Sequence, residues 1–315
     1  MSFNKNELQY GKETTMPYTV KKIDVHVHTR DFGGIEMPRR DGSTYAGPQR
    51  IREMYDDWGI EFGILLGEVS TYAATCPISN ENLCLIARKY PETFKWFMDL
   101  DPHMGNNDTT TDFTAIIEHY RALGALGVGE VTASLPFDNP LLMNMLRHCN
   151  DCAVPLTFHL APAAIGHYGY VDSHGLPGLE GALKAYPNIK FLGHSMMFWS
   201  HISGDVTPEN MNIYPSGKVT PGGRLGELLD EYPNLYCDMS AGSGGNAFLR
   251  DHEHAWRFIE KYPDRLLFGT DICAPHNFFP LSGWLDESLM KGCISQENYN
   301  LICRGNAERI ILNAR

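Results

Sequence analysis

The triplet His26-Val27-His28 is the first place where this chain can do chemistry. Residues two apart on a β-strand point to the same face, so on a strand both imidazoles reach one point. Imidazoles that converge in this way bind a divalent metal ion. Asp24 keeps the same alternation and is expected deeper on that face, either fixing the tautomer of a ligand imidazole or serving as a rim acid. Four more titratable residues directly follow apolar runs: Glu130 after Gly127-Val128-Gly129, His159 after Phe158, His194 after Leu192-Gly193, and Asp271 after Phe268-Gly269-Thr270. One such histidine is unremarkable, since a strand histidine is often a hydrogen-bonded core residue. Several at separate strand ends define a site if the fold brings those ends together. Imidazole with carboxylate suits zinc first, with manganese or iron open, as one ion or two. Cys273, two residues after Asp271, is read as a bystander.

A second histidine pair, His252-Glu253-His254, acts as an internal control. It falls in an expected helix, where residues two apart diverge, so it is read as a solvated helix start. Cys149 and Cys152 form one CxxC, with no second pair to complete a zinc knuckle, and are read as packing residues of a helix.

The elements that must position these groups follow a rhythm of apolar runs and helix-like stretches, which argues for parallel βα units. The strands are expected at Tyr18 to Val27, Phe62 to Gly67, Phe94 to Leu100, Ala125 to Val131, Pro155 to Leu160, Ile189 to Gly193, Leu235 to Met239 and Arg265 to Gly269. Helices are expected near Gly47 to Trp58, up to Tyr90-Pro91, at Asp112 to Leu123 and at Pro140 to Cys152, with closing helices over Ser282 to Leu312. The junctions Tyr186-Pro187-Asn188, Tyr232-Pro233-Asn234 and Tyr262-Pro263-Asp264 each end a helix at proline. Eight strands with intervening helices fit a closed (β/α)₈ TIM barrel, expected as a single domain over 18–315 after an N-terminal extension at 1–17. An open doubly wound sheet would carry a glycine-rich loop after its first strand. Here that place holds His-Val-His. In a barrel all strand C-termini share one face, which is where the titratable residues fall.

With 43% hydrophobic and 20% charged residues, the chain can bury a large core. Its net charge of -12 repels phosphate backbones and anionic lipid, so a small-molecule substrate is the expected partner, with no nucleic acid and no membrane. Self-association into a homo-oligomer stays open. The polar start has no apolar signal-peptide core, and the cysteines lie mostly in apolar segments, which suits a reducing cytoplasm.

The set His-x-His on strand one, histidines ending strands five and six, and aspartate ending strand eight resembles the amidohydrolase superfamily. The late Arg304-Gly305-Asn306-Ala307 with Arg309-Ile310 resembles the closing helix of the amidohydrolase-related family. The resemblance spans His26 to Ile311 and implies metal ligation by His26, His28, His159 and Asp271. Glu130 at strand four resembles the bridging glutamate of some members, where others carry a carbamylated lysine. Decarboxylase-like members, of the aminocarboxymuconate-semialdehyde decarboxylase type, hold one metal and use the strand-six histidine in catalysis. His194 is therefore either a ligand of a second metal or an acid/base.

The expected reaction is hydrolysis of an amide, lactone or ester of a small carboxylated substrate. A divalent ion lowers the pKa of bound water from about 15.7 towards about 7. Asp271 is expected to orient that water, take its proton and pass it to the leaving group, with His194 binding a second metal or stabilising the oxyanion. Non-oxidative decarboxylation is the alternative, and a non-enzymatic metal-binding barrel is the third reading. Asp238, ending strand seven, is read as a structural or supporting acid. Arg30, His103 and Tyr168 are the expected substrate contacts, Arg30 as a bidentate partner for a carboxylate or phosphate. The long segments Thr29 to Pro48, Ala161 to Gly175 and Ser195 to Gly223 are candidate lid loops, in which Met196, Met197, Phe198 and Trp199 either line a pocket or pack the loop down.

Overall fold

The computed structural model describes residues 20–39, 42–72 and 77–313. The expected extension 1–17, the strand residues Tyr18 and Thr19, and residues 314 and 315 lie outside the described residues. In chain order the elements are β1 (Lys22–Val27), α1 (Pro48–Trp58), β2 (Ile60–Leu65), α2 (Asn80–Lys89), β3 (Phe94–Trp96), α3 (Phe113–Ala122), β4 (Val128–Val131), α4 (Pro140–Asp151) and β5 (Pro155–Ala161). Then come β6 (Tyr170–Val171), α5 (Pro177–Ala185), β7 (Lys190–His194), α6 (Met196–Ser200), α7 (Arg224–Glu231), β8 (Leu235–Asp238), α8 (Ala241–Leu249), α9 (His252–Lys261) and β9 (Leu266–Leu267). Helices α10 (Leu281–Met290) and α11 (Gln296–Asn300) and two π-helical segments, Leu301–Gly305 and Glu308–Leu312, close the chain.

All strand pairings are parallel. They form two arcs, β1-β2-β3 and β4-β5-β7-β8-β9, with β6 added beside β5. The arcs join into a closed barrel at two seams. Met98 bridges Val128, and Val27 bridges Ile272. The N–H of His28 donates to the Ile272 carbonyl at 2.8 Å, which locks the second seam. Spatial order follows chain order because each helix returns the chain to the same edge. The eight expected strands are all present, and β6 is an addition that a two-residue strand in a polar loop did not announce. Several strands stop short of their expected ends: β3 ends at Trp96 and β9 at Leu267. Their tips leave the ladder where polar side chains turn into the barrel mouth.

Local chemistry explains the helix boundaries. Ser79, Asp112, Asn139 and Asp251 cap α2, α3, α4 and α9 with side-chain oxygens. Helix α1 stops at Gly59, whose φ of 68° only glycine takes readily. Helices α2, α5, α7 and α9 all end on a tyrosine before proline, the tyrosine N–H reaching back to the last free carbonyl. Cys149 and Cys152 close α4 as free thiols, Cys149 buried, as packing residues should be.

Two layers of apolar side chains result. One lies between strands and helices. The other fills the barrel with Ile23, Val25, Ile64, Phe97, Leu192 and Leu267, and joins Ala307, Ile310 and Ile311 of the closing segment. That segment seals the N-terminal end, where Asn306 Nδ2 donates to the carbonyls of Pro263 and Leu266. Among the described residues no helix is long and apolar enough to cross a membrane.

Beside this plug, Lys22 on β1 is fully buried, and its ammonium lies 2.8 Å from Asp286 Oδ1 of α10. Tyr299 of α11 donates to the same oxygen at 2.6 Å. Breaking a buried pair on one side leaves an uncompensated charge. Lys22→Met is therefore expected to lower the unfolding free energy by about 3–5 kcal/mol, and adding Asp286→Leu to restore much of it. Urea denaturation of the three proteins checks this, and a single-mutant loss under about 1 kcal/mol, the range of a surface pair, would contradict it.

Candidate metal centre

Strand β1 delivers the centre, but strict alternation does not hold along it. Its register with β2 runs from Asp24↔Gly63 to Val27↔Leu65, so β1 carries one extra residue there. Such a bulge changes which face the following side chains take. Asp24 turns out towards α1, accepting from Tyr55 Oη at 2.7 Å, and pins the segment after β9 by accepting from Thr270 N at 2.8 Å and Thr270 Oγ1 at 2.5 Å. It also accepts the His26 N–H at 3.0 Å. The expectation that Asp24 orients a ligand imidazole is therefore corrected. That contact belongs to Asp238 at the end of β8, whose Oδ2 lies 2.6 Å from His26 Nδ1.

The tautomers of the two imidazoles follow from their partners. His26 Nδ1 faces a carboxylate, and His28 Nδ1 faces the Leu66 carbonyl at 3.2 Å. Both partners only accept, so each Nδ1 carries a proton and each Nε2 is turned towards the mouth, where it can offer a lone pair to a cation. The two Nε2 atoms are 3.0 Å apart. Glu130 Oε2 stands 3.6 Å and 3.7 Å from them, and Asp271 Oδ1 3.6 Å and 3.5 Å. Four potential ligand atoms thus converge on one point. Ligands at roughly 2.0–2.2 Å from one ion would show separations of that size. Glu130 Oε1 is buried with no hydrogen-bond partner among the described residues. The donor set fits a divalent cation, which His26, His28, Glu130 and Asp271 would hold.

Electrostatics agree. Burial works against a charge on His26, yet Asp238, Asp271 and Glu130 together raise its pKa well above the usual imidazole value. Three carboxylates pull positive charge to one point. Burial lowers the pKa of His28 and His159 and brings His194 to about 4, so these rings stay neutral and able to ligate. Burial opposes ionisation of Glu130, but the rings of His26, His194 and His159 hold its carboxyl well below the usual range. Burial, followed by the opposing pull of His26 and the charges of Glu130, Asp238 and Glu68, leaves Asp271 raised.

The expected residues gather unevenly. His26, His28 and Asp271 place ligand atoms within 4.8 Å of one another, and so do His26, Glu130 and His194. His194 on β7 is held by Ser240 Oγ at 3.1 Å from its Nδ1, and its Nε2 lies 3.9 Å from Asp271 Oδ2. His159 shares the mouth, its ring 5.7 Å from that of His194, but stands outside both groups. Tyr168 overhangs His159 with ring centroids 4.3 Å apart. Arg30 is buried, lies 4.0 Å over the Tyr45 ring and pairs with Glu68 at 3.4 Å. His103 sits after β3 with its Nδ1 2.7 Å from Asp101, and no contact ties it to the cluster among the described residues. Met197, Phe198 and Trp199 are buried and pack their loop down. Trp199 Nε1 also donates to the Asp238 carbonyl at 2.9 Å, steadying the residue that steadies His26. The second histidine pair starts α9 as read, with Asp251 as its cap.

Glu68 is the acid that sequence reading passed over. It follows Leu66-Gly67 at the end of β2, accepts from Tyr45 Oη at 2.5 Å and lies 3.9 Å from His28 Nδ1. The rule that found Glu130 and Asp271, an acid directly after an apolar run, applies to it equally.

A family model described as amidohydrolase matches residues 23–311, and the chain belongs to that family, a family of enzymes. Solved structures share the fold at low identity. 5-Carboxyvanillate decarboxylase of Sphingomonas paucimobilis is 15% identical with a TM-score of 0.57, covering 93% of this chain and 99% of that one. A dihydroxybenzoic acid decarboxylase of a Polaromonas species, with bound manganese and the inhibitor 2-nitroresorcinol, is 19% identical with a TM-score of 0.53, covering 93% and 97%. A probable 2-pyrone-4,6-dicarboxylic acid hydrolase of Acinetobacter baumannii, with citric acid bound, is 14% identical with a TM-score of 0.53, covering 92% and 99%. No curated protein sequence matches this chain.

Asp238→Asn places an amide where a carboxylate now accepts from both His26 Nδ1 and the Ser240 N–H. Loss of such an orienting partner is expected to weaken divalent-metal affinity by about 10–100-fold while the fold persists. Competition with a fluorescent chelator measures it, and unchanged affinity would remove Asp238 from this role.

Proposed function

We propose that this chain is a metal-dependent hydrolase acting on an amide, lactone or ester of a small carboxylated substrate, with zinc as the resident ion and manganese or iron as alternatives. The observation that carries this reading is the convergence of four lone-pair donors on one point, with Asp271 alone among them reaching solvent. Its side chain is 26% exposed, against 0%, 4% and 8% for His26, His28 and Glu130. A divalent cation held there supplies Lewis-acid chemistry, polarising a carbonyl and making water acidic enough to attack at neutral pH.

The chain's own residues do the rest. Asp271 presents Oδ1 to the imidazoles and Oδ2 to His194, so it can take a proton from the attacking water and carry it towards the leaving group. His194, neutral and fixed by Ser240, faces the same space and can donate to the developing oxyanion or hold a second ion with Glu130. Tyr168 forms the wall above His159. The apolar packing under these groups keeps them in place before substrate arrives.

A second reading, non-oxidative decarboxylation around one ion, is supported by the overlap of the two ligand groups at His26, which lets one ion draw on both. The neighbouring folds include decarboxylases of aromatic acids and a hydrolase of a pyrone dicarboxylic acid. Metal stoichiometry by elemental analysis, with anomalous diffraction at Glu130, separates the two: two ions with Glu130 between them support hydrolysis.

Chelation is expected to abolish turnover of the best substrate in a panel of carboxylated lactones, esters and amides, and zinc to restore it. Asp271→Asn should retain metal and lose about 10²–10⁴-fold in kcat, the usual worth of a positioned proton carrier. An Asp271→Asn protein that holds metal and keeps full turnover would refute the role given to this residue.

A further inference from the structure

An anionic substrate meets a difficulty at this mouth. Glu68, Glu130, Asp238 and Asp271 crowd it with negative charge, and Arg30 already faces Glu68. A carboxylate needs donors that carry no countercharge to lose. The start of α8 has them. This helix begins three residues after Asp238, and its first residues read Ala241-Gly242-Ser243-Gly244. Ser240 occupies the capping position, yet its side chain turns to His194 and does not cap the helix. The N–H of Ala241 donates to the Thr270 carbonyl and that of Gly244 to the Ser240 carbonyl. The N–H groups of Gly242 and Ser243, in the first turn, have no partner of this kind among the described residues.

A second observation is independent of the helix end. Ser243 is only 4% exposed, and its Oγ is buried with no hydrogen-bond partner among the described residues. A hydroxyl in that condition is costly unless something meets it. Side chains on a helix lean towards its N-terminus, so this hydroxyl leans over the same first turn. Tyr214 adds a phenol: its Oη lies 3.2 Å from where a Cβ at residue 242 would stand. Gly244 lets the turn approach so closely, since a Cβ there would lie 2.1 Å from the Met239 carbonyl oxygen.

We propose that the first turn of α8, with the Gly242 and Ser243 N–H groups, Ser243 Oγ and Tyr214 Oη, is the seat for the carboxylate of the substrate. The partial positive charge of a helix N-terminus favours an anion without a cationic side chain. The seat abuts Ser240, the residue that holds His194, so a carboxylate lodged there sits beside the proposed metal centre. This inference rests on the reading of the substrate as a carboxylated molecule.

The test titrates full-length protein, zinc-loaded and zinc-stripped, with benzoate and separately with inorganic phosphate, by calorimetry. Benzoate should bind both forms. Ser243→Ala should raise its Kd about tenfold, while the melting temperature stays or rises, because a partnerless buried hydroxyl has been removed. Gly242→Pro, which deletes one N–H and crowds Tyr214, should weaken benzoate similarly. An unchanged benzoate Kd in Ser243→Ala overturns the seat. So does loss of benzoate binding on stripping zinc, which would put the carboxylate on the ion. Phosphate binding tighter than benzoate and dependent on Ser243 overturns the assignment to a carboxylate. If the protein takes up no divalent metal while benzoate binding still follows Ser243, the seat stands and the hydrolase reading falls.

Discussion

Two protons decide what the active face can be. One sits on His26 Nδ1 because Asp238 demands it, the other on His28 Nδ1 because the Leu66 carbonyl demands it. Those demands turn the two Nε2 lone pairs towards each other at 3.0 Å and aim them at Glu130 and Asp271. Such a set is unfavourable for the side chains alone. Lone pairs repel, and the protons that could relieve them are one on His26, which the surrounding acids attract strongly, and one on Asp271, whose pKa burial raises. A fold that holds this arrangement must spend rigidity on it. The barrel supplies that rigidity through backbone ladders, the Trp199 clasp on Asp238 and the fourfold hydrogen bonding of Asp24.

The two ends of the barrel divide the labour. At the N-terminal end, buried groups answer one another: Lys22 with Asp286 and Tyr299, Asn306 with two carbonyls, and apolar side chains from the closing segment. At the other end, polar groups face one another as acceptors. Asp24 joins the two regimes. It is buried like a structural residue and fully hydrogen-bonded, and it holds the backbone of His26 and Thr270, immediately next to the groups that face solvent.

The fold was legible because its signals are local and repeated. Tyrosine-proline junctions, capping residues and apolar runs each mark one boundary, and eight repetitions define a barrel. The convergence of His26, His28, Glu130, His194 and Asp271 at the mouth was legible for the same reason, since strand ends in a barrel share a face. The role of Asp24 was not. The extra residue in β1 is a relation between two strands, and no pattern within one strand reports it. The contact of Asp238 with His26 spans 212 positions and depends on where the barrel closes. Glu68 carried a usable signal at its strand end. Ser243 carried none, because a serine three residues into a helix looks like any other until its surroundings are known.

The acids at the mouth also explain why a cationic side chain is a poor receiver for an anionic substrate there. A lysine or arginine free to swing would close onto Glu130 or Asp271 and compete with the divalent ion for the same charge. Arg30 shows the outcome: it is stacked on Tyr45 and engaged by Glu68. A helix end cannot collapse in that way. Its partial charge is fixed along the backbone axis and neutralises nothing until an anion enters. A site that must hold a cation with carboxylates and still admit a carboxylate therefore gains from separating the two tasks, side chains for the metal and backbone for the substrate. The start of α8, placed by the same strand that supplies Asp238, is where this chain can make that separation.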